Sequence, residues 1–257
     1  MALAKLNDDN KPVSVVMCSY NGELFIKDQI ESILPNLLPD DQLLVSDDCS
    51  TDETINIVKS FKDKRIKLLI SNNNIGYKQN FFNACIAARY NHIILADQDD
   101  FYFSNHFSLI KDKLNYGFDF CSTSFFEATE DLEPYKYVGH IENQNIRKRS
   151  IFLRIYKVII VLLGGSKYFG CTIGFDRNKI KPLFTDWFRK KNLPHDLLIS
   201  IICLSFKKVA LIKTPTLLHR RHQNNTSPTK SGRTIIQRLK DRYYYVLSLL
   251  KFYLILR

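Results

Sequence analysis

A chain of 257 residues, 45% hydrophobic and 25% charged, has the composition of a globular protein with a sizeable core. No stretch reaches the roughly 20 apolar residues of a membrane span, and the six cysteines show neither a CxxC pair nor a Cys/His zinc spacing. The net charge of +11 is uneven, since residues 1–135 hold 12 Lys/Arg against 21 Asp/Glu and residues 136–257 hold 25 against 5. Composition therefore argues against a membrane-spanning or disulfide-framework protein and favours an anionic partner for the second half.

The first hundred residues alternate strand patterns with helix patterns. Short apolar runs predict strands at Val13–Cys18, Gln42–Ser46, Ile66–Ile70 and His92–Ala96. Helical spacing predicts helices at Leu24–Leu34, from Ser50 to Phe61 and from Lys78 to Arg89, the second of them opened by a capping box of Ser50 and Glu53. Strands and helices that alternate at this spacing predict a parallel sheet of right-handed βαβ units.

The alternation is looser after residue 100. We expect helices at Asn105–Tyr116, Ile151–Leu163 (amphipathic or buried) and Leu197–Leu204, strands at Phe118–Thr123, Gly170–Phe175 and Val209–Ile212, and a loop or lid over the polar stretch Glu127–Arg149. Residues 233–257 have apolar side chains at helical spacing with basic residues between them, which predicts an amphipathic helix.

The first ten residues lack the basic segment and long apolar run of a secretory signal. Most cysteines lie in apolar, strand-like runs, as buried free thiols in a reducing compartment do. We therefore expect a cytoplasmic protein.

Two acidic clusters each follow a predicted strand, Asp47-Asp48 after the second and Asp97-Gln98-Asp99-Asp100 after the fourth. Ligands of an open parallel sheet bind outside the carboxyl ends of its strands, so these carboxylates are expected at one crevice. Because Ser50 is predicted to cap the next helix, Asp47 and Asp48 would be free to accept from a base or a ribose. An Asp after a strand also starts turns, which is the structural alternative for this pair.

Asp97 and Asp99 point the same way on an extended segment, because side chains alternate with period two. Their repulsion calls for a cation or for donors. Mn²⁺ or Mg²⁺, held by one or two carboxylates and diphosphate oxygens, meets that need. A plain acidic turn is the alternative, whereas the ligand spacing of a calcium-binding EF-hand is missing.

Four motifs in this order resemble those of the family 2 glycosyltransferases. They are Val13 to Glu23, Ser46 to Asp52, Asn74-Ile75-Gly76 with Asn80, and Ala96 to Asp100. Gly170 to Phe175, His195-Asp196 and His219 to Asn225 resemble the second half of the bacterial rhamnosyltransferase-like branch. The resemblance covers about residues 12 to 225. Cys49 stands where the family usually carries glycine, and His195 where it often carries an acid.

The resemblance implies the α/β fold called GT-A, a Rossmann-like, mainly parallel central sheet flanked by helices. We expect a catalytic domain over residues 1–225, with a nucleotide-binding half at 12–100 and an acceptor-binding half at 101–225, followed by a basic amphipathic tail at 226–257. The implied activity is inverting, metal-dependent sugar transfer from a nucleotide diphosphate sugar to a lipid-linked oligosaccharide of a bacterial surface polysaccharide. dTDP-rhamnose is the expected donor, with UDP-hexoses next.

The resemblance also implies a role for each matching residue. Asp196 matches the catalytic base, Asp99 the direct metal ligand, and His222 a residue near metal and diphosphate. The residues expected to bind the nucleotide sugar are Ser19, Tyr20, Glu23, Asp47, Asp48, Lys78, Asn80, Asp97, Gln98, Cys171 and Thr172. Two structural alternatives remain: Asp196 as a carboxylate that favours a helix N-terminus, and His219 and His222 as part of a solvated basic turn.

The basic tail has two interpretations. It packs on the catalytic domain or on a second subunit, or it lies on the anionic inner face of the plasma membrane. The rival functions are a sugar nucleotidyltransferase, which would want a Gly-rich loop after the first strand, and a non-catalytic protein that binds membrane or nucleic acid. We expect no nucleic-acid partner, because the tail's apolar stripe fits a membrane or packing face better.

Overall fold

The computed structural model describes residues 11–146, 151–163, 165, 168–191, 193–223, 225 and 234–256. These residues form one sheet of ten strands in the order β3-β2-β1-β4-β9-β6-β10-β5, with β7 beside β6 and β8 beside β10. The strands are β1 Val13–Ser19, β2 Gln42–Asp47, β3 Ile66–Ile70, β4 His92–Ala96, β5 Phe101–Tyr102, β6 Phe120–Ala128, β7 Pro134–Val138, β8 Gln144–Ile146, β9 Ile173–Asp176 and β10 Val209–Arg220. The helices are α1 Ile26–Ile33, α2 Thr54–Ser60, α3 Tyr77–Ala87, α4 His106–Asn115, α5 Ile151–Leu162, α6 Asp186–Lys190, α7 His195–Phe206 and α8 Ile235–Leu256.

The first half is the predicted parallel sheet. β1 pairs in parallel with β2 and β4, and β2 with β3. All seven residues of β1 and all five of β4 are buried, since helices cover both faces of a parallel sheet. The carboxyl ends of β1, β2 and β4 therefore meet at one edge, as the two acidic clusters require.

The second half continues the sheet with mixed strand directions. β9 lies antiparallel between β4 and β6, and β10 runs parallel to β6. The prediction of a loop or lid at Glu127–Arg149 is wrong for part of the described segment: β6 continues to Ala128, and β7 and β8 add antiparallel strands, while residues 129–133 and 139–143 connect them. β7 is mostly exposed, so it carries little of the apolar pattern from which a strand is predicted.

Two boundary predictions are also wrong. α2 begins at Thr54 without Ser50 as its cap, because Ser50 Oγ donates to Asp47 Oδ2 at 2.6 Å instead. Gly170–Thr172 is a short 3-10 turn and strand structure starts only at Ile173. In the turn after β2, Cys49 adopts φ +67°, the left-handed conformation in which glycine is ordinarily found.

Each face of the sheet carries one hydrophobic core. One core joins α3, α5, α7 and α8, and the other joins α1, α2 and α4. α8 contributes its buried Tyr245 and Phe252 to the first core, so the predicted tail helix packs against the catalytic fold. In the part of the chain that the structure describes, no helix is long and apolar enough to cross a bilayer.

Candidate active site

A cavity of about 670 Å³ opens at the carboxyl ends of β1, β2 and β4. Its walls include nine of the residues predicted for the site: Ser19, Tyr20, Asp48, Asn80, Asp97, Gln98, Asp99, Asp196 and His222. These residues come from all four motifs of the first half that resemble the family, and from two of the three such motifs in the second half. The sheet order thus brings both acidic clusters to one concave site, as predicted.

Five predicted residues lie outside the cavity wall: Glu23, Asp47, Lys78, Cys171 and Thr172. Glu23 accepts from the backbone N–H of Glu53 at 2.9 Å. Cys171 and Thr172 are fully buried beneath the floor. Lys78 lines a smaller pocket next to the cavity. For these residues a role in nucleotide-sugar binding stays a prediction.

The interpretation of Asp47 and Asp48 as free carboxylates rested on Ser50 as the cap of α2, and that premise is wrong. Asp47 is buried and accepts from Ser19 Oγ at 2.7 Å and from the Ser50 N–H at 2.7 Å. Asp48 accepts from the N–H groups of Ile75 and Gly76 at 2.9 and 2.8 Å. Asp47 therefore stabilises the turn, while Asp48 joins it to the start of α3 and still borders the cavity.

Gln98, between the two acids of its motif, organises the opposite wall. Its Oε1 accepts from the Tyr20 N–H at 2.9 Å and its Nε2 donates to the Tyr20 carbonyl at 3.2 Å. A side chain on Gly22 would collide with the Gln98 amide. A side chain at position 22 would therefore displace the Gln98 amide, whose bonds to Tyr20 tie the turn after β1 to the turn after β4.

Asp99 and His222 meet across the cavity. The Asp99 Oδ2 to His222 Nε2 distance is 2.8 Å, and Asn225 Nδ2 donates to the same oxygen at 3.2 Å. The His222 ring packs on Phe25 at 4.5 Å between centroids. Phe25 was not singled out by the sequence analysis, because one more apolar residue at the start of a helix carries no distinguishing signal.

Asp100 and His219 form a second pair, deeper in the site. His219 Nδ1 lies 2.7 Å from Asp100 Oδ1, and both side chains are buried. Burial alone would lower the pKa of His219, but the adjacent Asp100 carboxylate raises it to about 9. The interpretation of His219 as part of a solvated turn is therefore wrong, because β10 continues through Arg220 and carries His219 into the core. Asp100 belongs to the acidic cluster, but nothing in the sequence predicts its pairing with His219.

The charges of the site fit a divalent cation. Burial, then the carboxylates of Asp100 and Asp99, raise the pKa of Asp97 well above its usual range. A cation near Asp99 and His222 would offset this repulsion, and carboxylate oxygen with one imidazole is a donor set that Mn²⁺ accepts. Asp97, Asp100, Cys171 and His219 also cluster within 4.8 Å. That cluster fits a hard cation less well, because burial raises the pKa of the Cys171 thiol and keeps it protonated.

Asp196 stands in the first turn of α7 and borders the cavity. Its Oδ1 accepts from the Leu197 N–H at 2.8 Å. The neighbouring His195 ring stacks on Phe81 at 4.0 Å, and burial lowers its pKa to about 3. An imidazole with so low a pKa is neutral near pH 7 and a poor proton acceptor, so it is not suited to act as a base.

Comparison with known proteins identifies the family of the chain. The model of the family described as glycosyl transferase family 2 matches residues 14–179. The chain belongs to this family. Two curated relatives of this glycosyltransferase act on named donors. It is 26% identical over 222 residues, 81% of the chain and 72% of the relative, to the dTDP-rhamnosyl transferase RfbG of Shigella flexneri. It is 37% identical over 97 residues, 38% of each protein, to the UDP-Glc:alpha-D-GlcNAc-diphosphoundecaprenol beta-1,3-glucosyltransferase WfgD of Escherichia coli.

Solved structures confirm the predicted GT-A architecture with its C-terminal helix. The S. aureus TarS 1-349 complex with UDP-GlcNAc superposes with a TM-score of 0.64 at 14% identity, covering 92% of this glycosyltransferase and 67% of TarS. Glucosyl-3-phosphoglycerate synthase from Mycobacterium tuberculosis, in complex with Mn²⁺ and UDP, gives 0.55 at 15% identity, covering 94% and 80%. In another TarS 1-349 structure the chain spans 60% of TarS. At these identities the likeness concerns the fold.

Proposed function

We propose that this glycosyltransferase is an inverting, metal-dependent enzyme that transfers a sugar from a nucleotide diphosphate sugar to a hydroxyl of a lipid-linked glycan in bacterial surface polysaccharide synthesis. The observation that carries the proposal is the pairing of Asp99 with His222 in the same cavity as Asp196. One cavity then offers a cation site for a diphosphate and a carboxylate for the acceptor. Membership of family 2 supports the transferase over a nucleotidyltransferase or a non-catalytic binding protein.

In the proposed reaction, each group has one task. Asp196 accepts the proton of the acceptor hydroxyl as that oxygen attacks the anomeric carbon of the donor. Asp99 and His222 would hold Mn²⁺ or Mg²⁺, which would supply positive charge where the departing diphosphate develops negative charge. His219, which borders the cavity, is held by its ion pair with Asp100 and supports the floor of the site. Ser19, Tyr20, Asp48, Asn80, Asp97 and Gln98 line the proposed nucleotide-sugar pocket.

The relatives support a choice of donor and acceptor for this proposal. RfbG is a dTDP-rhamnosyl transferase, which supports dTDP-rhamnose as the donor, and WfgD uses UDP-Glc, which supports a UDP-hexose next. WfgD acts on a diphosphoundecaprenol-linked sugar, which supports a lipid-linked acceptor here. Such an acceptor would place the enzyme at the cytoplasmic face of a membrane.

The test is nucleotide diphosphate release from dTDP-rhamnose, UDP-glucose, UDP-galactose, UDP-N-acetylglucosamine and GDP-mannose, each with Mn²⁺ or Mg²⁺ and with or without EDTA. We expect release from one donor, abolished by EDTA and by Asp99→Asn. Asp112→Asn, a change of an exposed acid on α4, is the matched control and should leave release unchanged. Failure of every donor both to react and to bind would contradict the proposal.

A further inference from the structure

Two helices next to each other expose apolar faces to solvent. On α8 the exposed apolar side chains recur every three or four residues: Ile236, Leu239, Tyr243, Val246, Leu250 and Leu254. On and just after α5 they are Ile151, Phe152, Ile155, Tyr156, Ile159 and Leu163, with Phe152 86% exposed. We call these twelve side chains the α5–α8 face. Contiguous exposed apolar area of this extent marks an interaction surface.

The two halves of the face adjoin. Arg242 of α8 donates from Nε to the carbonyl of Leu162 at the end of α5. One side of α8 is buried and contains Tyr245 and Phe252, and another side is exposed and contains Val246. At 3.6 residues per turn, Arg242 lies between these two sides. The exposed stripe therefore continues toward α5. α8 uses one side to pack on the protein and leaves the other as part of the face.

The face extends from the cavity end of α7. Arg154 of α5 donates to the carbonyls of Leu204 and Lys207 at the end of α7, so α5 runs back toward the start of α7. Phe252, near the end of α8, stacks on Phe206 at 5.6 Å, so α8 runs with α7. Asp196, at the start of α7, borders the cavity. Lys191, four residues before α7, lies over the ring of Tyr244 of α8 at 5.0 Å, and the neighbouring Arg242 bonds to the end of α5, so the end of α5 and the first half of α8 lie on that side.

The charged residues beside the α5–α8 face indicate which kind of partner binds there. α8 exposes Arg238, Lys240 and Lys251 and carries one acid, and α5 adds the half-buried Lys157 and no acid. Arg154 and Arg242 are not counted here, because they bond to backbone carbonyls of α7 and α5. In sequence, Arg147-Lys148-Arg149 precedes α5, and Lys230 and Arg233 precede α8. A second copy of the chain would bring like charges together, whereas an anionic bilayer complements them. In-plane amphipathic helices combine these features, an apolar stripe with a basic margin.

We infer that α5 and α8 together form a docking surface for an anionic phospholipid bilayer, with both helices in the plane of the interface. The inference goes beyond the proposed sugar transfer and beyond a tail that binds membrane by itself, since half of the surface lies in the catalytic fold. Docked in this way, the cavity end of α7 lies beside the bilayer surface.

The test is flotation of the full chain with vesicles, without any sugar nucleotide. We expect binding to vesicles of phosphatidylglycerol and phosphatidylcholine, weaker binding to phosphatidylcholine alone, and weakening by salt. The double change Phe152→Gln/Ile155→Gln on α5 should reduce binding more than about tenfold although α8 is intact, because two apolar side chains no longer leave water. Tyr116→Gln, a change of an exposed aromatic residue that follows α4 on the opposite side of the sheet, is the matched control.

Several results would overturn the inference. Unchanged binding of the α5 variant would leave α8 alone as the anchor. Equal, salt-insensitive binding to neutral vesicles would show that the face does not require anionic lipid. Absence of vesicle binding, with a dimer in sedimentation equilibrium that the α5 variant loses, would assign the face to a second copy. Thermal melting of each variant verifies folding. Because no donor or turnover is involved, failure of the proposed transferase activity would leave these results unaffected.

Discussion

At the scale of single residues, Asp196 has two possible roles, one catalytic and one structural, and they predict different effects of its substitution. A carboxylate in the first turn of a helix stabilises it by about 0.3–1 kcal/mol whether or not it takes part in chemistry. As the general base, it would also contribute a rate factor of about 10²–10⁴. We expect Asp196→Asn to lower kcat by such a factor, with the donor KM and the melting temperature nearly unchanged.

The matched control is Asp186→Asn, which removes an exposed acid from the first turn of α6. Steady-state kinetics and thermal melting of both variants provide the measurement. Equal and small effects of the two changes on kcat would assign Asp196 to the helix alone.

A second residue-scale prediction concerns pH. His106 is buried against Tyr102, and its Nδ1 forms a hydrogen bond with Thr216 Oγ1 at 2.7 Å. Burial lowers the pKa of His106 from 6.5 to about 3. The unfolded chain therefore binds a proton near pH 6 that the folded chain does not. Stability contributed by His106 is present above about pH 6.5 and is lost as pH falls, by at most about 1.4 kcal/mol per pH unit.

We expect His106→Asn, which keeps a polar atom near the position of Nδ1, to flatten this dependence. Urea unfolding at pH 7, 6 and 5 measures the free energy of unfolding of both proteins. The difference between them isolates His106 from the other titrating groups. Parallel pH profiles would contradict the assignment.

At the scale of elements, α7 ends on a buried guanidinium. Arg154 donates to the carbonyls of Leu204 at 2.8 Å and Lys207 at 2.7 Å, which have no helical partner at this end of α7. Arg154→Met keeps the apolar stem but leaves these carbonyls unsatisfied. We expect a loss of about 2–4 kcal/mol in the free energy of unfolding, measured in urea, against less than about 0.5 kcal/mol for the exposed Lys240→Met. Equal losses would mean that the contact contributes little.

At the scale of the whole molecule, the predicted division at residues 225 and 226 can be tested through α8. Phe252 is fully buried in the core shared with α7, whereas Leu250 is 55% exposed on the same helix. We expect Phe252→Ala to cost about 3–5 kcal/mol of unfolding free energy and Leu250→Ala less than about 1 kcal/mol. One cooperative transition in both variants would make α8 part of the catalytic domain. A separate early transition in Phe252→Ala would support an independent tail.

The strands and helices of the first half, and the acidic motifs at its strand ends, can be predicted from the sequence. The spacing of apolar residues in β1 to β4, and in the helices between them, is a local property of a few consecutive residues. The parallel sheet follows from this alternation of strands and helices. The positions of Asp97, Asp99 and Asp196 follow from motifs equally local. The convergence of the two acidic clusters was predictable because carboxyl ends of parallel strands share one edge, whereas Asp196 was placed by the family resemblance.

Only the tertiary structure decided which groups pair. Asp99 meets His222 from 123 positions away, and Asp100 meets His219 from 119, because β10 extends to Arg220 and brings its end beside the end of β4. The use of Asp47 as an acceptor for the turn, and the meeting of α5 with α8, depend in the same way on packing between distant segments. Local propensity specifies a strand or a helix, but a hydrogen-bond partner is chosen by the arrangement of the whole sheet.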